Sequence, residues 1–179
     1  MIFDKENCLY IVDSMNNRIQ KFTDDGSFLT KFGEYGSGEG QFKLPWGITI
    51  DKQGNLYVAD WKNHRVQKFS SDGEFLNAFG VLGNGVGQLD HPSDMAIDDD
   101  GDVYVVDWAN SRVQIYDCDG KFLTSLIGDA QQLSKWAQMT IDSNLQGSFQ
   151  VSGNFVEAGQ LIKYKMSGPM SATYSESFR

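Results

Sequence analysis

Three residue types recur at a spacing that could do chemistry. Asp13, Asp60 and Asp107 stand 47 residues apart, and Arg18, Arg65 and Arg112 keep the same interval. Asn16, Asn63 and Asn110 fall between them. A carboxylate and a guanidinium on either side of a short turn can pair bidentately and staple it. The Asn sits where a turn residue adopts left-handed geometry or bonds its own backbone. The same set appears in three copies, whereas a catalytic residue is usually needed once. The expected role of these residues is therefore structural.

The remaining reactive side chains do not assemble a catalytic set. His64 and His91 are the only histidines. A catalytic zinc commonly takes three protein ligands and keeps one position open, so two histidines fall short. Asp98-Asp-Asp-Gly-Asp102 resembles part of a calcium loop, but position 109, where a bidentate Glu belongs, is Ala. Asp and Gly are also favoured turn residues, so a hairpin turn is the expectation there. His64 lies near Asp60, yet Arg65 competes for that carboxylate, and no nucleophile recurs nearby. Cys8 and Cys118 fall at dissimilar points of their copies, so free thiols are expected. The glycine-rich stretches 33–40 and 80–87 could cradle a phosphate only if a helix followed directly. Gly40-Gln-Phe-Lys-Leu-Pro45 and Gly87-Gln-Leu-Asp-His-Pro92 lead into strands instead. The sequence thus predicts no catalytic residue, no metal and no cofactor.

The elements that place these residues follow from one repeated stretch, Leu56-Tyr-Val-Ala-Asp-Trp-Lys-Asn-His-Arg-Val-Gln-Lys-Phe69. Tyr10–Phe22 and Tyr104–Tyr116 are copies of it. A constant period of this size signals stacked units or a closed ring. Each unit reads as four short strands, in the central copy Gly47–Asp51, Leu56–Trp61, Val66–Phe69 and Glu74–Phe79. Asp25-Gly26, Asp72-Gly73 and Asp119-Gly120 mark tight hairpins between the third and fourth strands. In the second strand Leu56 and Val58 face one way, Tyr57 and Ala59 the other. A sheet wetted on one face alternates apolar with polar residues. Apolar residues on both faces require cover on both, as in the blades of a β-propeller.

Asn63-His64-Arg65, within Gly47–Asp60 and its continuation, resembles the NHL repeat, which is named for that tripeptide. Asn16-Asn17-Arg18 and Asn110-Ser111-Arg112 depart only at the middle position. The resemblance covers residues 2–128 in three copies. It implies an all-β, NHL-type propeller, commonly of six blades. It implies little about function, because the family spans binding modules, sensors and some enzymes. Peptidyl-hydroxyglycine amidating lyases in it hold a zinc with histidines from several blades. Here positions 17 and 111, equivalent to His64, are Asn and Ser. Other members bind single-stranded RNA on a basic face. This chain has a net charge of -9 and a pI near 4.5. It shows no basic stripe to neutralise phosphates, which makes nucleic acid an unfavoured partner.

The expected layout is one propeller domain, at least partial, with blades over about 1–44, 45–91 and 92–128. Residues 129–141 are expected to form a helix or linker, with Leu133, Trp136, Ala137 and Thr140 at helical spacing. The competing register aligns Met139–Asp142 with Met95–Asp98 and starts a fourth blade. Residues 142–179 read as a degenerate blade and a mobile tail. Ser148–Ser152 and Gln160–Lys165 would be its strands, Gly153-Asn154 and Gly159 its turns, and Ser167–Arg179 the tail. The chain opens inside a first strand, without the Pro-x-Gly entry of Pro45–Gly47, which favours a piece of a longer protein. A small ring, closure through self-association and an open arc all remain consistent with three clear copies.

In a propeller the second-to-third-strand turns and the inter-blade links emerge on one face. Here that face would carry Trp46, Trp61, Lys62, His64, His91, Asp94 and Trp108. Aromatic residues anchor interfaces well, but each Trp could equally pack over a neighbouring blade, since large aromatics are often only partly buried. The functional expectation is a non-catalytic module offering this face to a protein or peptide. A lyase- or lactonase-like enzyme fragment is the alternative, and RNA binding the third. No run approaches the ~18 apolar residues of a membrane span. Met1–Lys5 shows no signal peptide, so the default expectation is a cytoplasmic chain.

Overall fold

The computed structural model describes residues 1–126 in full, and the backbone of Ala137–Thr140, Ser148–Glu157 and Gln160–Pro169. The first sheet is β1 (Ile2–Phe3), β2 (Leu9–Asp13), β3 (Arg18–Phe22) and β4 (Phe28–Phe32), antiparallel and in sequence order. A two-stranded parallel ribbon, β5 (Glu34–Tyr35) and β6 (Gln41–Phe42), folds the glycine-rich link back on itself. The second sheet is β7 (Pro45–Ile50), β8 (Leu56–Asp60), β9 (Arg65–Phe69) and β10 (Phe75–Phe79). The third is β11 (Pro92–Ile97), β12 (Val103–Asp107), β13 (Arg112–Tyr116) and β14 (Phe122–Leu126). These are the blades of an all-β propeller fold, each built from consecutive hairpins.

The local reasons are those of the sequence. At Asp72-Gly73 the Gly73 N–H donates to the Ser70 carbonyl at 3.0 Å, and Ser70 N–H donates to the Glu74 carbonyl at 2.9 Å. Gly73 has a φ of 86°, which L side chains resist. All five residues of β8 and all five of β12 are buried. One core lies between the first two sheets and includes Tyr10, Ile19, Phe42, Leu56, Val58 and Phe69. The next lies between the second and third and includes Tyr57, Ala59, Val66, Leu89, Val103 and Tyr116. Leu56 and Val58 thus face one neighbour while Tyr57 and Ala59 face the other. Each buried Val, Leu or Phe contributes roughly 1.5–3 kcal/mol. In β2, by contrast, only Tyr10 is buried, because just one of its faces is covered by a described sheet.

Beyond residue 126 the outcome differs from expectation in three places. Ala137–Thr140, predicted as the end of a helix, is a strand, β15. It pairs antiparallel with β16 (Ser148–Glu157), Met139 opposite Val151, and lies beside β11. A short apolar run fits both periods, and strand pairing decides between them. Residues 129–136 and 141 lie outside the described residues. Gly153-Asn154, expected at a turn, sits inside β16, whose ten-residue hairpin with β17 (Gln160–Pro169) runs from Glu157 opposite Gln160 to Ser148 opposite Pro169. Gly159 lies outside the described residues. Ser167–Pro169, assigned to a tail, belongs to β17, and 170–179 are outside the described set. The three strands form a fourth, three-stranded sheet. Among the described residues no helix is long and apolar enough to cross a membrane.

The first strands of neighbouring blades approach closely, and Gly47 shows how closely. A Cβ there would stand 2.7 Å from the Ser93 carbonyl oxygen and 2.8 Å from Asp94 Cα. Both obstacles include backbone, which cannot rotate away. Gly47→Ala is expected to destabilise the chain by about 1–3 kcal/mol, read as a lower midpoint in urea with an unchanged slope. An unaltered midpoint would mean the blades are spaced more widely than described.

Candidate functional site

Each repeat centres on a carboxylate that collects donors. Asp60 is fully buried. Its Oδ1 accepts the backbone N–H of Lys43 at 2.7 Å. Its Oδ2 accepts Asn63 Nδ2 at 2.8 Å, Arg65 Nε at 2.9 Å and Gln67 Nε2 at 3.1 Å. The expected Asp–Arg staple is present but not bidentate, because only Nε reaches the carboxylate. The rest of the guanidinium turns to the preceding link. Arg65 Nη1 donates to the Ser37 carbonyl at 3.0 Å, and Nη2 to those of Gly38 and Gln41 at 2.7 and 2.9 Å. Asn63 Nδ2 adds the Gly36 carbonyl at 2.9 Å. Geometry explains the division of labour: three link carbonyls need three forked donors, and Arg supplies them in a rigid plane.

Asp107 repeats the arrangement. It accepts Asp90 N–H at 2.6 Å, Asn110 at 2.9 Å and Arg112 Nε at 2.7 Å. Arg112 reaches the Asn84, Gly85 and Gln88 carbonyls at 2.9, 2.9 and 2.8 Å. Asp13 holds Asn16 at 2.9 Å, Arg18 at 2.8 Å and Gln20 at 3.1 Å, with Arg18 and Asp13 side chains still 31% and 20% exposed. Burial pushes the Asp60 carboxyl above the usual carboxylate range, while the Lys43 N–H, Asn63 and Arg65 pull the other way. The half-buried Asp13 carboxyl is held below that range by its bonds to Arg18 and Asn16.

Two details escaped the sequence. The left-handed residue of each turn is not the Asn but its successor: Asn17, His64 and Ser111 have φ of 54°, 55° and 53°. The Asn instead bonds the Asp. Gln20, Gln67 and Gln114 are further members of the network, and Gln67 Oε1 accepts the Gly40 N–H at 3.0 Å. A signal existed, since these glutamines keep the 47-residue interval and each follows a β-branched apolar residue in its strand.

The loop face gathers most of the residues expected there. Trp46 lies against Trp61 with ring centroids 3.9 Å apart, and Trp61 meets Trp108 edge-on at 5.8 Å. His91 lies 5.0 Å from Trp61 and 4.5 Å from His64. All five rings are half-buried. The Trp61 Nε1 is buried without a hydrogen-bond partner. Lys62 is exposed beside them, and its N–H donates to the Lys43 carbonyl at 3.0 Å. Asp94 turns back to accept the Met95 N–H at 2.9 Å, next to Gly47. His64 Nδ1 accepts the His91 N–H at 3.2 Å, as Asn17 Oδ1 accepts the Leu44 N–H at 2.8 Å one blade earlier. Burial, helped by the neighbouring His91, holds the His64 imidazole below its ordinary value.

At the opposite end the acidic run is a hairpin turn. Asp98 Oδ1 accepts the N–H groups of Asp100 and Asp102 at 3.0 and 2.9 Å, and Tyr104 Oη donates to Oδ2 at 3.2 Å. Asp51 does the same for Gln53 and Asn55 at 3.0 and 2.8 Å. A cavity of about 240 Å³ between these turns is lined by Asp51, Tyr57, Lys68 and Asp98 among others. Cys8 and Cys118 are free thiols.

The networks make a comparative prediction. Asp60→Ala strands the largely buried Arg65 and the Lys43 N–H, and should cost about 3–5 kcal/mol. Asp13→Ala, with one face open to water and no preceding link among the described residues, should cost far less. Equal losses in chemical denaturation would show that link anchoring contributes nothing beyond the turn itself.

A family model for the NHL repeat matches residues 42–69 and 89–116, the second and third copies of the motif. No curated protein matches. The fold is similar to a solved streptogramin B lyase, at 16% identity and a TM-score of 0.62, covering 91% of this chain and 52% of that one. It is similar to H270A virginiamycin B lyase from Staphylococcus aureus with quinupristin, at 13% identity and a TM-score of 0.63, covering 94% and 55%. The RRP9 WD40 repeats match at 14% identity and a TM-score of 0.67, covering 86% and 44%. The chain spans about half the length of the solved structures it matches, and at these identities the likeness establishes fold alone. The chain thus carries two matched NHL repeats, and its stacked four-stranded sheets are the blades of a β-propeller fold.

Proposed function

We propose that the chain acts as a binding module whose loop face, centred on Trp46, Trp61 and Trp108, takes a protein or peptide segment. The carrying observation is the half-buried aromatic cluster formed by Trp46 near the start of β7 and by Trp61 and Trp108 in the turns, where blade stacking alone does not require three tryptophans. Stacked indoles give a rigid apolar platform with little rotamer entropy left to lose, which favours interfaces. The net charge of -9 favours a segment that mixes apolar and basic residues. An Arg laid on an indole face adds a cation–π term of about 0.5–2 kcal/mol.

The likeness to two lyases supports a second reading, a propeller enzyme of which this chain is a part. Turnover of a streptogramin B by the purified chain would put that reading first.

Selection of a displayed random peptide library on the immobilised chain tests the first reading. Enriched peptides should lose at least about tenfold in affinity to Trp61→Ala, equivalent to about 1.4 kcal/mol, with the circular dichroism spectrum unchanged. Enriched peptides that bind the variant equally would move the surface elsewhere, and no enrichment would remove the reading.

A further inference from the structure

The blade 2–blade 3 junction holds a cluster with no counterpart at the junction before it. His64, Asp90 and His91 each present a ligand atom, and these atoms lie within 4.8 Å of one another. Asp90 Oδ1 stands 2.6 Å from His91 Nδ1 and 3.2 Å from His64 Nδ1. The equivalent positions one blade earlier are Asn17, Lys43 and Leu44, which could not ligate a cation as a set.

The second observation is independent of proximity. Asp90 Oδ1 and His91 Nδ1 are both inaccessible to solvent, and neither makes a hydrogen bond. They touch at 2.6 Å without the alignment a hydrogen bond needs. A buried acceptor left unsatisfied is costly. A cation between them would satisfy both at once.

We propose that His64, Asp90 and His91 form a site for one divalent transition-metal ion of the zinc class. Imidazole and carboxylate are the ligands such ions accept, and two histidines with one carboxylate leave a position open. The sequence counted two histidines and stopped short of a third ligand; the fold supplies it as Asp90. Ligands on one tetrahedral ion at about 2.0–2.1 Å stand roughly 3.4 Å apart, so binding relaxes the 2.6 Å contact. The site is positioned by the repeat networks. Asp107 fixes the Asp90 backbone through its 2.6 Å bond, and the Ala109 N–H holds the Asp90 carbonyl at 3.0 Å. The 3.2 Å bond from His91 N–H to His64 is long enough to yield to a metal. Trp61, at 5.0 Å from His91, walls one side.

The test is a titration of chelator-stripped protein with zinc chloride by calorimetry, and with cobalt(II) by visible absorption. One ion per chain is expected, with cobalt d–d bands and no thiolate charge-transfer band. His64→Asn retains the backbone cap, as Asn17 shows, and removes a ligand. It should weaken zinc by more than about 100-fold, since even outer-shell partners are worth about 10–100-fold. Asp90→Asn and His91→Asn should act alike. Cys8→Ser, which alters the separate Asp4, Glu6 and Cys8 group, should leave binding unchanged. No uptake, uptake equal in the His64 variant, or uptake lost only with Cys8 would each overturn the assignment.

Discussion

A buried carboxylate governs this architecture. Asp60 is stable inside the protein because four donors converge on it, one of them charged. A buried ion that lost its partners would be strongly destabilising, so the chain around it is constrained to deliver them. The donors come from the turn, from β9 and from the link that precedes the blade. One anion thereby ties three segments of chain together. The same constraint operates at Asp107.

This arrangement explains how long glycine-rich links can be ordered. Residues 33–44 have few apolar side chains of their own. Their carbonyls are taken up by Arg65, Asn63 and Gln67, so satisfied backbone polar groups stand in for a hydrophobic core. The links carry only one or two buried anchors, Phe42 and Leu89, and these join the inter-blade cores. Stacking and anchoring are therefore coupled: a blade cannot separate from its neighbour without stripping partners from an arginine.

The candidate binding residues depend on that same coupling. Trp61 opens the turn that Asp60 and Arg65 hold, and His64 closes it in left-handed geometry. Asp90 and His91 belong to the link that Asp107 fixes. The residues that vary between copies, such as Asn17, His64 and Ser111, sit on a frame that does not vary. A rigid frame that displays variable turn residues is the general way repeat folds acquire individual surfaces.

Much of the fold was legible in the residues. The 47-residue interval, the Asp-Gly turns and strands apolar on both faces together require stacked four-stranded sheets, since each of those features is local or periodic. The structural role of Asp60, Asn63 and Arg65 was legible too, because it recurs. Their partners were not: the carbonyls of Ser37, Gly38 and Gln41 carry no side-chain signature, and a bond over 24–28 residues exists only once the link has folded back. The helix expected up to residue 141 failed at Ala137–Thr140 because a four-residue run has no decisive period, and pairing with β16 outweighed propensity. The meeting of His64 with Asp90 and His91 was likewise hidden. Twenty-seven residues separate His64 from His91 in the chain, and only the stacking of one blade on the next closes that distance.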